Sequence, residues 1–182
     1  MMIKNAKSVC EVTRLLQQSI RPLESCEEIN LKSATSRICA EDIDSPIALP
    51  ASNNAAVDGF AFYYEWAISN PEFIYDVVAE IRAGHPFTGK VLQGQAVAIF
   101  TGAIVPDGLD YIAMQENCIL ESENRVKIDT IPKQGLNIRK AGENLNKGEQ
   151  IIRKGGRVTA AEIGQLSAIG KSKISCYLEL SV

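Results

Sequence analysis

The sequence predicts an α+β fold that is mainly β, and three observations predict it. Residues 46–131 read as short apolar runs separated by turn residues. Two capping boxes, Ser8 with Glu11 and Thr159 with Glu162, open helical runs near the two ends. Between them Gly135, Gly142, Gly148, Gly155 and Gly156 punctuate residues 135–158, which read as turns joining short extended pieces and not as a repeat architecture.

The helix over 8–20 carries Val9, Val12, Leu15, Leu16 and Ile20 on one face, and Pro22 stops it. Residues 27–31 form a strand, and 32–43 a short helix with an extended exit. Pro46 and Pro50 then break the chain. Phe60 and Phe62 alternate as in a strand, and the aromatic run through Trp66 reads as core packing on a sheet face; too few basic residues interleave for a nucleic-acid stacking platform. Residues 74–84, 96–100, 111–114 and 125–131 are further strands, with Pro106, Asp107 and Gly108 as a tight turn. The second capping box opens a helix bearing Ile163, Leu166 and Ile169, with Gly170 as its stop. Residues 173–182 alternate as a closing strand.

A chain of 182 residues fits one domain, or two small ones sharing a core. With 46% hydrophobic and 23% charged residues it can bury a core and is not wholesale disordered. The net charge of −3 argues against a dedicated nucleic-acid binder. No run is long enough to cross a bilayer, and the N-terminus lacks an apolar signal core, so a cytoplasmic location is expected. Cys10, Cys26, Cys39, Cys118 and Cys176 are odd in number, widely spaced and without a C-x-x-C, which predicts reduced thiols packed as small apolar residues. The single histidine, His85, sits in a turn-like AGHPF context and reads as a solvent-facing loop residue, which leaves no zinc ligand set.

Residues 49–62, LPASNNAAVDGFAF, hold one acid, Asp58, among small residues and the amides Asn53 and Asn54. Such a carboxylate is either a turn-former bonded to nearby N–H groups or an acid kept for a task. Two more polar clusters stand beside this one. Thr101 and Gly102 end a β-run, where a hydroxyl and free N–H groups can meet an oxyanion. Asn137, Arg139, Lys140, Glu143 and Asn144 lie in a glycine-flanked basic loop, a setting that can hold phosphate, with carboxylates that suit Mg²⁺. No phosphate-loop or dinucleotide fingerprint and no nucleophile–histidine pair occurs.

Taken together and in this order, the clusters resemble the N-terminal half, domains I and II, of the molybdopterin molybdenumtransferase family of MoeA and gephyrin E-domain type. The family pattern LPPFDNSAMDGYA stands here as LPASNNAAVDGFA, IMTGAPVPEGADAVVMQE as IFTGAIVPDGLDYIAMQE, and GxNIRxxGEDI as GLNIRKAGENL. RPL at 21–23 and SRICAEDIDSP at 36–46 match as well. The resemblance implies an elongated two-domain unit. A β-rich domain, 46–140, is inserted into a discontinuous outer domain of helices and short strands, 1–45 and 141–182. It implies a pterin-binding third domain and a β-barrel fourth domain beyond this sequence, so this part alone is expected to be inactive.

The resemblance further implies molybdenum cofactor biosynthesis: molybdate is transferred to adenylylated molybdopterin in a Mg²⁺-assisted reaction within a homodimer. One subunit's third domain meets its partner's second domain at the active site. A MogA-type adenylyltransferase is the implied partner protein; no nucleic acid or membrane is. Carried over residue by residue, Asp58, Thr101 and Glu116 take catalytic positions. Asn54, Gly59, Gly102, Arg139, Glu143 and Asn144 take cofactor-binding positions, and no metal ligand is assigned. Three positions depart from the pattern: Asn53 and Asn144 replace aspartates, and Ala55 replaces a serine. These losses motivate the alternative reading, a non-catalytic dimeric scaffold or interaction module.

Overall fold

The computed structural model describes residues 7–21, 23–130 and 133–180. The expected stop at Pro22 and the last residues of the strands expected over 125–131 and 173–182 lie outside them. The helices are Val9–Ser19 (α1), Tyr64–Ser69 (α2) and Ala160–Ala168 (α3). The strands are Cys26–Asn30 (β1), Ile43–Asp44 (β2), Asn54–Ala55 (β3), Gly59–Phe62 (β4), Ile74–Ile81 (β5), Gln95–Ile99 (β6), Tyr111–Met114 (β7), Cys118–Ser122 (β8), Arg125–Ile128 (β9), Ile138–Arg139 (β10), Gln150–Ile152 (β11) and Lys173–Tyr177 (β12). This is the expected α+β, mainly β class.

The chain divides into two compact units, one of Met1–Ile43 with Gln150–Val182, the other Asp44–Glu149. The second boundary falls later than the expected break at 140. The reason lies in the backbone: Gly142 N–H donates to Pro50 O, Asn144 N–H to Leu49 O and Gly148 N–H to Ser45 O. Residues 141–149 are thereby tied to 45–50.

In the first unit β1 pairs antiparallel with β12, matching Glu27 with Cys176 and Ile29 with Ile174. Leu31, Cys39, Val158, Leu166, Ile174 and Cys176 are buried there. α3 starts at the predicted box: the Thr159 hydroxyl accepts from Ala161 N–H, and the Glu162 carboxylate accepts from Thr159 N–H. It stops at Gly170, whose φ of 80° only glycine adopts without strain.

The helix expected over 32–43 is absent. Only a 3₁₀ turn at Leu31–Ser33 forms, because Ser36 and Cys39 donate their N–H groups to Val158 and Gly156 and leave no i→i−4 ladder. α1 forms with its box intact. Its predicted apolar face, Val9, Val12, Leu15, Leu16 and Ile20, is exposed throughout. All five cysteines are free. Cys39 and Cys176 pack as expected, but Cys10 and Cys26 are exposed.

The second unit is built on a six-stranded sheet of order β7-β4-β6-β5-β9-β8. Only β5 and β6 run parallel, so residues 82–94 must return the length of the sheet between them. Both faces are covered, as the alternation of side chains shows. In β7, Ile112 joins a core of Ala61, Ile81, Val97, Ile99 and Leu109. Its neighbours Tyr111 and Ala113 join Phe62, Tyr75, Ala96 and Val126.

The aromatic residues do serve the core: Phe62 and Tyr75 meet edge to face with centroids 4.4 Å apart. Tyr64 and Trp66, however, sit on α2, a helix the aromatic run conceals. No helix among the described residues is long and apolar enough to cross a membrane.

Candidate functional site

The register of the sheet builds a row across four strands. Gly59 of β4 pairs with Met114 of β7 on one side and with Ile99 of β6 on the other. Ile99 in turn pairs with Ile81 of β5. β5, β6 and β7 end at this row or beside it, and β4 begins there. The residues just beyond therefore gather at one end of the sheet: Asp58 before β4, Thr101 after β6, Glu116 after β7. Hydrogen bonds fasten the turn. Thr101 N–H and the Thr101 hydroxyl both donate to Asp58 Oδ1, at 2.8 and 2.7 Å. Gln115 N–H donates to Asp58 O at 3.2 Å, which brings Glu116 alongside.

The Asp58 carboxyl is held below its ordinary range, first by the Thr101 backbone N–H and then by its hydroxyl. It is ionised at neutral pH, so it acts as an acceptor and a negative charge, not as a proton donor. Both sequence alternatives for Asp58 therefore meet in one residue: it is bonded to a turn, and it is exposed at a sheet end. Glu116 is exposed too.

A second group adjoins the first. Ala55 N–H donates to Ala103 O, and Gly102 N–H donates back to Ala55 O at 2.8 Å. β3 pairs with β10, opposing Arg139 to Asn54. Asn54 and Arg139 thus share one strand pair, and Gly102, next to Thr101, is hydrogen-bonded to it through Ala55. Gly102 has φ 82°, and a Cβ there would meet the Ala83 Cβ at 3.6 Å, an ordinary contact. Gly59 is different: it is buried, and a Cβ there would stand 1.9 Å from Ala113 O. Its lack of a side chain is taken up by sheet packing, which accounts for the residue without a ligand.

Glu143 and Asn144 lie on the loop tied to Leu49 and Pro50. Glu143 accepts from Lys140 N–H at 3.0 Å. Among the described residues no hydrogen bond joins either one to Asp58. Asn53 is their link to the site, since its Oδ1 accepts from Ala141 N–H at 3.0 Å. The sequence placed Asn137 in this basic cluster, but it is a structural pin: its Nδ2 donates to Ile112 O, and its carbonyl accepts from Ala56 N–H. A cavity of about 310 Å³ is lined by Asn53, Asp110, Gln134 and Lys140. An apolar cavity lined by Arg37, Ile38, Tyr177 and Leu178 belongs to the first unit and contains none of these residues.

The sequence did not single out Arg82. It follows Ile81 in the four-strand row, with Phe100 N–H donating to Ile81 O. Its guanidinium carbon lies 5.0 Å from the centre of the Phe100 ring. Its one local signal is a cation directly after a β-run, which is common on any surface. His85 is an exposed turn residue, as expected.

The comparisons with known proteins follow the same residues. The chain matches the family described as MoeA N-terminal region (domain I and II) over residues 7–170. It is 34% identical over 170 residues to a molybdopterin molybdenumtransferase of Haemophilus influenzae, covering 93% of this chain and 41% of the relative. A relative of the same name from Nostoc is 35% identical over 176 residues, with 93% and 40% covered. The crystal structure of the molybdopterin biosynthesis moeA protein from Pyrococcus horikoshii OT3 superposes with a TM-score of 0.85 at 30% identity, over 93% of this chain and 45% of that one. The chain thus spans well under half the length of the relatives it matches. On the strength of its matched region and its fold, the chain belongs to the MoeA N-terminal family, domains I and II.

Proposed function

We propose that the chain is the N-terminal part of a molybdenum insertase, which transfers molybdate to adenylylated molybdopterin in molybdenum cofactor biosynthesis. The observation that carries the reading is the convergence of Asp58, Thr101 and Glu116 on one sheet end. In this reading the exposed end faces a pterin-binding domain of the other subunit of a homodimer. The Asp58 carboxylate is the fixed negative charge there, and Thr101 holds it in place. Arg139, beside Asn54, forms the flank suited to anionic groups of the substrate; the N–H groups expected free at Thr101 and Gly102 are instead committed to Asp58 Oδ1 and Ala55 O.

Mg²⁺ belongs to the proposal as well. Among the described residues no group of three or more His, Cys, Asp or Glu side chains could hold a metal. Mg²⁺, however, commonly takes one or two carboxylates together with substrate oxygens and water, and Asp58 with Glu116 fits that donor set. When bound, Mg²⁺ would neutralise charge on the reacting oxygens. This chain's own residues bind and orient. A MogA-type adenylyltransferase is the partner proposed to supply the adenylylated pterin, and the cytoplasm is the proposed compartment.

The test joins the chain to the pterin-binding and barrel domains of a relative and follows AMP release from adenylylated molybdopterin with molybdate and Mg²⁺. Asp58→Ala should lower turnover by about a hundredfold or more, the scale of losing one preorganised electrostatic group. Unchanged turnover would remove the role given to Asp58. Light scattering tests the homodimer. The scaffold reading draws on Asn53 and Ala55, one bonded to Ala141 and the other buried in the core. A dimer that gives no turnover would favour it.

A further inference from the structure

We infer that Arg82 is a binding residue for a tetrahedral oxyanion at the Asp58–Thr101 sheet end. This deepens the proposed function and rests on that end being a ligand site. One step past the paired row lie Gln115, Asp58, Phe100 and Arg82, on four adjacent strand ends. The row therefore carries an acid on one strand and a cation two strands away, with Phe100 and the Thr101 hydroxyl between them. A ligand combining a metal-bound or protonated edge with an anionic edge matches that polarity. A lone anion or a lone cation uses only half of it.

Arg82 is held in a way that suits such a role. Its Nε donates to Glu80 Oε1 at 2.6 Å, and its guanidinium stands over the Phe100 ring at 5.0 Å. Glu80 and the Phe100 ring thus flank the guanidinium on two sides. Among the described residues no hydrogen bond engages its two terminal nitrogens. The side chain keeps 66% of its surface open. A guanidinium presents its donors as a planar fork, and the terminal pair spans two oxygens of a phosphoryl or molybdate group. Glu80 offsets part of the charge at long range, so the pull acts on a ligand that reaches the fork itself.

The experiment titrates the labelled chain with sodium molybdate, inorganic phosphate and AMP, each with and without Mg²⁺, and follows its amide and Arg Nε resonances. Saturable shifts at Thr101, Gly102 and Arg82 are expected. Molybdate alone producing them identifies the cargo oxyanion, and phosphate and AMP alone identify a phosphoryl group; either supports the inference. Arg82→Gln should weaken binding about tenfold, the scale of a charge-assisted hydrogen-bond pair. Arg82→Lys should fall between, because it keeps the charge but loses the fork and the stacking. The exposed site leaves both variants folded, and their unshifted amides elsewhere verify this. Undiminished binding in Arg82→Gln overturns the inference while leaving the sheet end as a ligand site. Failure of every probe to shift Thr101 or Gly102 overturns both.

Discussion

Thr101 and Asp58 lie 43 positions apart in the chain, yet two donors of the first converge on a single oxygen of the second. The threonine fixes the carboxylate's direction and its charge together. Its own hydroxyl proton is committed to Asp58, which leaves the hydroxyl oxygen as an acceptor toward solvent.

Thr101→Val removes the hydroxyl donor and keeps the shape. The Asp58 pKa should rise toward its ordinary value, and Thr101→Ser should restore it; carboxyl-carbon NMR titration measures both. The depressed folded-state pKa gives a stabilising contribution that is present above the unfolded value and lost as pH falls through the folded one. The stability gap between wild type and Thr101→Val should therefore close in acid. A gap that does not change with pH would show that the hydroxyl does not act through the charge.

Gly59→Ala places a methyl group against Ala113 O, backbone that cannot yield without parting β4 from β7. The cost should be about 3 kcal/mol or more, at the upper end of overpacking. Denaturant midpoints measure it. Gly102→Ala has room but the wrong φ, and should cost about 1 kcal/mol.

Tyr75 buries its hydroxyl with no partner among the described residues. Tyr75→Phe should leave stability unchanged or raise it by about 1 kcal/mol, since a desolvated hydroxyl is lost and no bond with it. Burial pushes the Tyr75 phenol up to about 12. The Cys118 thiol is also pushed to about 12, by burial first and then by Asp129 and Glu116. Both groups keep their protons longer folded than unfolded. Their contribution is complete below the ordinary thiol range, and it is lost as pH climbs from there toward about 12. The part of the tyrosinate absorbance that Tyr75→Phe removes should appear together with unfolding, not before it.

Thr159→Ala and Ser8→Ala delete the same kind of cap. Thr159 starts α3, which buries Leu166, so its loss should lower global stability by about 1 kcal/mol. Ser8 starts α1, which buries nothing. Its loss should reduce helical circular dichroism and leave the unfolding midpoint of the rest in place.

Where local chemistry decides, the sequence was readable. Both capping boxes, the turn at Gly108 and strand β7 stand where the pattern put them, because side chains within three or four positions determine them. α2 was hidden because its aromatic residues favour strands as single residues and are helical here by context. The short helix expected over 32–43 lost to long-range pairing with residues 156–158, which no local window contains. Asp58, Thr101 and Glu116 could be named from motifs, but their common end depends on register between β4, β6 and β7. Arg82 is legible only from that register. Gly59 could be named from its motif, but the close approach of the Ala113 carbonyl that bars any side chain there depends on the pairing of β4 with β7.

α1 has eleven residues, a greasy stripe and, among the described residues, nothing laid over it. Helices this short are marginal in water when no tertiary surface supports them. In the isolated chain its amides should therefore exchange with deuterium long before those of the six-stranded sheet, and its peptide bonds should be the first that a protease cuts. Any surface that shielded the stripe would reverse that order.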